Sequence, residues 1–501
     1  MKAETKYVFF LTAAYFAISL AGALHHELWL DEAQHWLLAR DSTSIVDLFG
    51  NTRLEGHPLL WDLMLYGITR VTNDVFWMQL LHILISTSAV FVFLWKAPFS
   101  LTFKTLFIFG YFIVYEYNII SRNYIPGILF LFLAASIFKE RRQKFTLLCV
   151  FLAFAANVHL MFSVIAFAFF LTLLFENLQQ KQLFQKQFLK GYGFFGIGLI
   201  VLYLQISGTN SAWFFSEIHN LPIQERFSKG FIALFKGLMT LPDFRTIHFW
   251  NSNIFVNWSK PITAVFGLLV YVIPFILFSK SKKTLFFVYT ALIGTQFFFF
   301  ITQRGATRFD GMTYTILIIA LWMNCDDSSN THSVNFSQRL APLKKTIVYG
   351  ILSVQSFSGI CAYVTDWNHP FTASKDAAAY LKSKNRNNES VISLSCESTA
   401  LAAYLEEKVF FLSDGNFHSY CQWDIAGATI FSDEVVLGLL SDYLSGHKRA
   451  IFISRTPLNA SLLRNNGSIV VTQLQKFENN VLSNGNYYIF EVSRNLKINW
   501  P

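Results

Sequence analysis

Charged residues are scarce in this chain of 501 residues. Asp, Glu, Lys and Arg make up 14% of it, whereas about a quarter of the residues in soluble domains carry a charge. Hydrophobic residues reach 53%, and the 55 Phe include runs such as Phe297 to Phe300. A soluble core has no room for so many rings, but a lipid-facing surface does. The composition therefore excludes an ordinary soluble protein and predicts an integral membrane protein.

Cysteine is also scarce. The 5 Cys are too few and too scattered for a disulfide framework or a zinc site. Cys396 and Cys421 share the C-terminal segment, where a single disulfide bridge and two free thiols both remain open. That segment lacks a glycine-rich phosphate loop, and the chain lacks a long internal repeat.

The basic residues carry a topology signal. A formal net charge of +9 could indicate a nucleic-acid partner, but the Lys and Arg residues do not form one surface. They are concentrated in the loops on one side of the apolar segments and are rarer in the short loops on the other side, which is the positive-inside bias. We therefore expect a lipid bilayer as partner and no nucleic acid.

Apolar segments of roughly bilayer-spanning length recur along the first three quarters of the chain. They predict about eleven transmembrane helices. These are expected at 8–24, 75–95, 103–117, 124–138, 145–157, 160–175, 191–206, 262–278, 285–301, 309–323 and 347–364. The first one ends in Ala21-Gly22-Ala23, which resembles a signal-peptidase site, so a cleaved signal and a retained anchor both stay open. The N-terminus is expected in the cytoplasm and the C-terminal tail outside it.

The tail has the pattern of a soluble domain. Short helical and strand patterns alternate at 374–384, 390–394, 399–405, 409–412, 435–444, 450–454, 469–472 and 487–492. The predicted fold class is a polytopic α-helical membrane protein with a small C-terminal extracytoplasmic α/β domain. We expect a transmembrane module over 1–365, with outside loops at 25–74 and 207–260, and the α/β domain over 366–501.

The first outside loop contains Trp29-Leu30-Asp31-Glu32-Ala33-Gln34-His35-Trp36. Its apolar residues follow helical spacing, which predicts an amphipathic helix at the membrane surface. Asp31 with Gln34 three residues later has the form of a capping box, so Asp31 could simply cap this helix. A carboxylate at a helix start is equally well placed for chemistry, and both interpretations stay open.

The same loop continues with Glu55-Gly56-His57-Pro58, in which Pro58 suits the first turn of a second surface helix. Glu55 and His57 could bind a hydroxyl, a phosphate or a metal ion. Two potential ligands two residues apart are a weak metal signal. The alternative is a solvated loop acid and a capping histidine.

Further polar residues occur at the ends of later spans that the topology places outside. They are Arg122, Asn123, His159, Arg304 and Arg308. Arginine near a helix end often only extends to the membrane interface. Acids and several arginines on one face of the membrane nevertheless fit a site that holds a lipid phosphate and deprotonates a hydroxyl.

The order of these elements resembles the GT-C superfamily of membrane glycosyltransferases, in particular the bacterial branch similar to protein O-mannosyltransferases and aminoarabinose transferases. The resemblance rests on the loop with Asp31 and Glu32, the Gly-His-Pro and Ser-Arg-Asn-Tyr helix starts, Phe249-Trp250-Asn251 and the outside tail. It implies that Asp31 is the catalytic carboxylate, with Glu32 beside it. It also implies sugar donors on polyprenyl phosphates. Some members bind a divalent metal, so a metal at Glu55 or His159 stays open.

The resemblance implies direct displacement with inversion, in which Asp31 accepts the proton of an acceptor hydroxyl. Arg122, Arg304 or Arg308 would stabilise the departing lipid phosphate. The acceptor would be a lipid, glycan or protein outside a bacterial inner membrane. Two alternatives are a flippase or transporter for lipid-linked glycans, because intramembrane Arg and His also mark substrate paths, and a polysaccharide polymerase or ligase.

Overall fold

The structure is a computed structural model that describes residues 3–207, 221–302, 305–326, 334–384, 389–423, 432–459 and 469–495. The chain forms two compact units, each assembled from separate segments. The helical unit consists of Met1–Gly22, Gly56–Trp61 and Leu80–Val364. The loop-and-sheet unit consists of Ala23–Glu55, Asp62–Gln79 and Thr365–Pro501.

Helices dominate the part of the chain that the structure describes. In chain order, those before residue 207 are α1 (Ala3–His25), α2 (Leu30–Asp41), α3 (Ile45–Asn51), α4 (Leu60–Thr69), α5 (Phe76–Lys96), α6 (Leu101–Ile108), α7 (Tyr124–Ser136), α8 (Phe145–Ala156), α9 (Leu160–Gln179) and α10 (Lys186–Ile206). Those after it are α11 (Ile223–Leu238), α12 (Ile254–Trp258), α13 (Lys260–Leu269), α14 (Val272–Phe278), α15 (Lys282–Thr302), α16 (Thr307–Asp310), α17 (Met312–Asp326), α18 (Val334–Asn368), α19 (Ser374–Ser383), α20 (Thr399–Leu405) and α21 (Asp433–Gly446).

Seven helical stretches among the described residues are long and apolar enough to cross a membrane. They are Glu4–His25, Phe76–Lys96, Leu160–Gln179, Lys186–Ile206, Lys260–Phe278, Lys282–Thr302 and Ala341–Asn368. Each coincides with one of the predicted spans, and many of their large apolar side chains are exposed, as a lipid-facing surface requires. The prediction of a multi-pass α-helical membrane protein is confirmed.

The other predicted spans correspond to shorter or interrupted helices. The segment 103–117 is divided between α6 and a π-helix, Phe112–Glu116. The segment 309–323 falls mainly on α17, which follows the short helix α16. Each of α7, α8 and α17 is shorter than the roughly 17 to 25 residues that cross a bilayer. The structure therefore does not fix the number of crossings at eleven.

The predicted second outside loop contains the 16-residue helix α11, which packs within the helical unit. A Cβ atom at Gly237 would overlap the carbonyl oxygen of Asp310, and one at Gly230 would overlap the side chain of Gln296. Glycine at these two positions is what permits the close approach. Lys236 on the same helix forms an ion pair with Asp310 at 2.8 Å.

The tail contains a six-stranded sheet. Its strands are β1 (Val391–Ser393), β2 (Val409–Phe411), β3 (Asn416–His418), β4 (Arg449–Ser454), β5 (Ile469–Phe477) and β6 (Tyr487–Arg494). The order is β3-β2-β1-β4-β6-β5, with β1 parallel to β2 and β4 and the other pairs antiparallel. Ile392, Phe452 and Phe490 belong to its buried core. The predicted small α/β domain is confirmed, although the sequence pattern missed β3.

Of the two alternatives for the cysteines of the tail, a disulfide or two free thiols, the structure has the disulfide. Cys396 and Cys421 form a disulfide, and both lie in the loop-and-sheet unit. The bridge ties the 3-10 helix Cys396–Ser398, which precedes α20, to the segment after β3.

Candidate active site

Asp31 lies in the first turn of α2 and is half-buried. The residue that caps the helix is Trp29, whose backbone is extended. The backbone N–H of Trp29 donates to Glu32 Oε2 at 3.1 Å. The interpretation of Asp31 as the cap, with Gln34 as its partner, is therefore wrong. Glu32 supplies the carboxylate that satisfies the helix start, because it stands at the third helical position.

Glu32 is also bound to a buried histidine. His26 contacts Glu32 Oε2 through Nε2 at 3.2 Å and Asp366 Oδ2 through Nδ1 at 2.8 Å. Burial lowers the pKa of His26, but the two carboxylates outweigh it and raise the pKa well above its ordinary value. A charged His26 donates from both nitrogens, so it fixes Glu32 and with it the beginning of α2.

Glu55 is held by two donors that reach the same oxygen. Gln34 Nε2 donates to Glu55 Oε1 at 2.7 Å, and Trp423 Nε1 donates to it at 2.9 Å. Burial raises the pKa of Glu55 to about 7. Gln34 also pairs with the backbone of Cys421, accepting from its N–H at 2.7 Å and donating to its carbonyl at 3.0 Å. The disulfide-bonded segment and Glu55 thus share one amide side chain.

The sequence interpretation did not single out a second acid–histidine pair in the same unit. His35 Nδ1 lies 2.7 Å from Asp62 Oδ1, and both side chains are buried. The charge of His35 lowers the pKa of Glu55, and the charge of Asp62 raises it. His35 on α2 and Asp62 on α4 do not belong to a common sequence motif, so the sequence did not indicate that they pair.

A metal site finds no support in this geometry. Within the described ranges, His, Cys, Asp and Glu side chains do not assemble into a group of three or more that could hold a metal ion. Glu55 Oε1 already accepts from Gln34 and Trp423. The metal expectation at Glu55 or His159 stays a prediction, and no chemical step is assigned to a metal.

In the helical unit, Arg122 is buried just before α7. Its carbonyl accepts from His82 Nε2 at 2.9 Å, and its guanidinium carbon lies 5.6 Å from the centre of the Tyr124 ring. The next residue, Asn123, donates from Nδ2 to the carbonyl of Val158 at 3.3 Å. These bonds anchor the Ser-Arg-Asn-Tyr segment at the end of α8.

His159 begins α9 as its capping residue, with Nδ1 accepting from the backbone of Met161 at 3.1 Å. A neutral ring that accepts at Nδ1 carries its proton on Nε2. The ring centre lies 5.0 Å from that of Tyr124 and 4.8 Å from that of His57. The fold therefore brings together His57, His159 and the aromatic residue that neighbours Arg122.

Arg308 lies in α16, whose start is fixed by side chains from other segments. Asn251 Oδ1 accepts from the backbone of Thr307 at 3.0 Å, and Tyr117 donates to the carbonyl of Arg308 at 2.6 Å. Asn251 has a left-handed backbone with φ 63°, which asparagine tolerates better than most residues. The guanidinium carbon of Arg308 lies 5.9 Å from the Trp250 ring. Arg304 lies outside the described residues.

Glu116 is the residue that the sequence interpretation missed. It ends the π-helix and is buried, and its Oε2 accepts from Tyr111 Oη at 2.9 Å and Trp250 Nε1 at 3.1 Å. The charges of Arg308 and Arg122 both act on it. A lone acid inside an apolar span was a usable signal, because ionisable residues within membrane segments tend to be functional.

The helical unit thus contains buried Arg122, half-buried Arg308 and buried Glu116 among aromatic side chains, with the Lys236–Asp310 ion pair close to Arg308. Guanidinium groups bind phosphate oxygens in a bidentate manner, and their attraction for an anion rises as water is excluded. Of the predicted residues, His57, Arg122, Asn123, His159 and Arg308 occur in this unit. The loop-and-sheet unit holds Asp31, Glu32 and Glu55.

The fold is similar to that of a solved membrane protein. The crystal structure of ArnT from Cupriavidus metallidurans bound to undecaprenyl phosphate matches with a TM-score of 0.55 and 10% identity, over 98% of each chain. The apo structure of the same protein matches with a TM-score of 0.49 and 10% identity, also over 98% of each chain. No protein-family model matches the sequence, and neither does a curated protein. At this identity the likeness shows the fold alone, and the expected helical membrane fold with a small C-terminal α/β domain is confirmed.

Proposed function

We propose that this protein is an integral membrane glycosyltransferase that moves a sugar from a polyprenyl-phosphate donor to an acceptor hydroxyl. The observation that carries the proposal is a cluster in which Arg308 lies beside the Trp250 ring, Trp250 donates to the buried Glu116, and the charges of Arg308 and Arg122 both act on that carboxylate. This cluster occurs in a chain whose fold resembles that of ArnT bound to undecaprenyl phosphate. Two arginines among aromatic side chains, one buried and one half-buried, suit a lipid phosphate better than a neutral substrate.

In the proposed reaction, the acceptor oxygen forms a bond to the anomeric carbon while the bond from that carbon to the phosphate oxygen breaks. Asp31 takes the proton of the hydroxyl, and the electron pair of the broken bond leaves with the polyprenyl phosphate. Arg122 and Arg308 stabilise the negative charge that develops on this leaving group. Attack opposite the phosphate inverts the anomeric configuration. Glu32 and His26 keep the start of α2 in place.

The orientation of the chain belongs to the same proposal, with the N-terminus in the cytoplasm and the tail outside. The Cys396–Cys421 disulfide supports it, because disulfides persist in oxidising compartments outside the cytoplasm. Reporter fusions after Lys144 and Lys283 should report the cytoplasm, and fusions after Asp74 and Asp366 the outside. A cytoplasmic tail would remove the argument that the predicted polar residues lie on one face.

Purified protein with radiolabelled polyprenyl-phosphate sugars tests the activity. A glycosyltransferase forms a labelled single-sugar product and releases polyprenyl phosphate. A flippase or transporter reconstituted in vesicles would move the intact lipid-linked sugar without breaking its glycosidic bond. A polymerase or ligase would transfer only longer glycans. Either of the last two results would overturn the proposal.

A further inference from the structure

Glu116 has a position that the proposed reaction does not by itself explain. It is 2% exposed, lies in the π-helix Phe112–Glu116 and receives two hydrogen bonds on one oxygen. Both donors, the Tyr111 hydroxyl and the Trp250 indole, favour a charged acceptor. Burying a carboxylate costs several kcal/mol unless cations and donors compensate for it. A carboxylate at such a position therefore either has a function or is stabilised by partners that offset the cost of burial.

Its partners are the two arginines assigned to the lipid phosphate. Arg308 and Arg122 both interact electrostatically with Glu116. The Arg308 guanidinium also lies 5.9 Å from the ring of Trp250, whose indole N–H bonds to the Glu116 carboxylate. Glu116 offsets one of the two guanidinium charges, and Asp310, on which Arg308 also acts, is paired with Lys236. About one net positive charge remains, so Glu116 reduces the attraction of the cluster for anions.

This reduction acts unequally on the substrate and the product of the proposed reaction. A donor phosphodiester carries one negative charge, whereas the released phosphate monoester carries about 1.5 to 2 near pH 7. Repulsion between Glu116 and the ligand grows with the ligand's charge, and it is weakly screened because Glu116 is buried. The carboxylate therefore penalises the product more than the substrate.

We propose that Glu116 is a positioning counter-ion that weakens the binding of the released polyprenyl phosphate to Arg122 and Arg308, so that the product can leave. The proposal rests on the proposed function. Glu116 is not assigned any contact with the reacting atoms. Its role is to set how strongly the arginine pair holds a monoester relative to a diester.

Glu116→Gln is the informative change, because the amide oxygen can still accept from Tyr111 and Trp250 while the charge is lost. Binding of undecaprenyl phosphate to the purified full chain in nanodiscs should become about tenfold tighter, as one repulsive charge in a low-dielectric site is removed. The methyl diester of undecaprenyl phosphate should gain less, and uncharged undecaprenol should not change. Equal or weaker monoester binding by this variant would overturn the proposal.

Trp250→Phe is the matched control, since it removes one hydrogen bond and retains the carboxylate. It should change monoester affinity by less than about threefold, in line with the loss of one hydrogen bond of modest net strength. If Glu116→Gln does not fold, Glu116→Asp keeps the charge and should preserve the wild-type ratio of monoester affinity to diester affinity. A clear change of that ratio in the Asp variant would contradict a role through charge.

The same measurement separates the two proposals. Wild-type protein that fails to bind undecaprenyl phosphate would overturn the proposed function together with the role of Glu116. Wild-type binding that Glu116→Gln leaves unaltered would overturn the role of Glu116 alone.

Discussion

The two units of this protein place their apolar side chains in opposite ways. The helical unit exposes large apolar side chains such as Phe297 and Ile197, and it buries the ion pair Lys236–Asp310. The loop-and-sheet unit buries its apolar residues in the core of a sheet. It also buries charged pairs, but there the acids are paired with histidines. The surrounding solvent explains the difference, because lipid tolerates an exposed Phe but imposes a large cost on an unpaired charge.

Removing one member of the buried pair should test the helical unit most severely. Lys236→Met keeps the length of the side chain and leaves Asp310, which is 0% exposed, without its cation. Breaking a buried ion pair in this way typically costs about 3–5 kcal/mol of unfolding free energy. Denaturant unfolding in mixed micelles measures the change.

Lys229→Met on the same helix is the control. Lys229 pairs with Glu225 at 3.8 Å, and both side chains are more than 40% exposed, so the expected loss is below about 1 kcal/mol. Equal stability of the two variants would show that the buried pair does not hold α11 in the helical unit. The contrast between paired interior charges and solvated surface charges would then lose its energetic basis.

In the loop-and-sheet unit we expect an acid to matter for rate rather than for stability. Asp31→Asn should lower sugar transfer about a hundredfold or more, which corresponds to about 2.7 kcal/mol or more in the barrier. Membrane levels and unfolding should stay near wild type, because the cap of α2 is made by Glu32. Radiolabel transfer and quantified expression provide the two measurements.

Asp376→Asn is the control for Asp31→Asn. Asp376 is an exposed acid in the first turn of α19 in the same unit, so its loss should leave transfer unchanged. Near-normal turnover by Asp31→Asn would remove Asp31 as the base and direct attention to Glu32 and Glu55.

The sequence predicted the elements whose pattern is local. Hydropathy located the long spans, and alternation located most of the tail, including α20 at its observed bounds of Thr399–Leu405. It missed β3, because three residues of mixed polarity at a sheet edge have no periodic pattern. It also divided the chain at one position, whereas the loop-and-sheet unit combines segments distant in sequence.

The site was predicted less completely, for a related reason. Arginine and histidine at helix ends stand out in an apolar sequence, so the sequence singled out Arg122, His159 and Arg308. Glu116 was not, because hydropathy averages a single acid into its apolar neighbours. The capping interpretation considered for Asp31 was wrong because a box motif does not fix where the first turn begins: Trp29 is the cap residue, and Glu32 accepts from its backbone N–H. Contacts such as Trp250 with Glu116 join residues more than a hundred positions apart.

The smallest expected effect concerns Glu55, a half-buried acid whose two hydrogen-bond donors, Gln34 and Trp423, are neutral. Burial raises the pKa of Glu55 from 4.5 to about 7, so the folded chain holds this proton to higher pH than the unfolded chain does. The unfolding free energy should therefore fall as the pH rises from about 4.5 to about 7, and remain lower above that range.

Glu55→Gln stays neutral and can accept from Gln34 and Trp423, so it should match wild type near pH 4.5. At pH 8 it should be about 1–2 kcal/mol more stable, after allowance for partial solvent screening. Unfolding at the two pH values measures the difference, with the exposed Glu407→Gln as control. Parallel stability curves for wild type and Glu55→Gln would mean that Glu55 is solvated enough to behave as a surface acid. Glu55 would then be an acid in contact with water. The two units would differ in the surroundings of their acids more than the structure indicates.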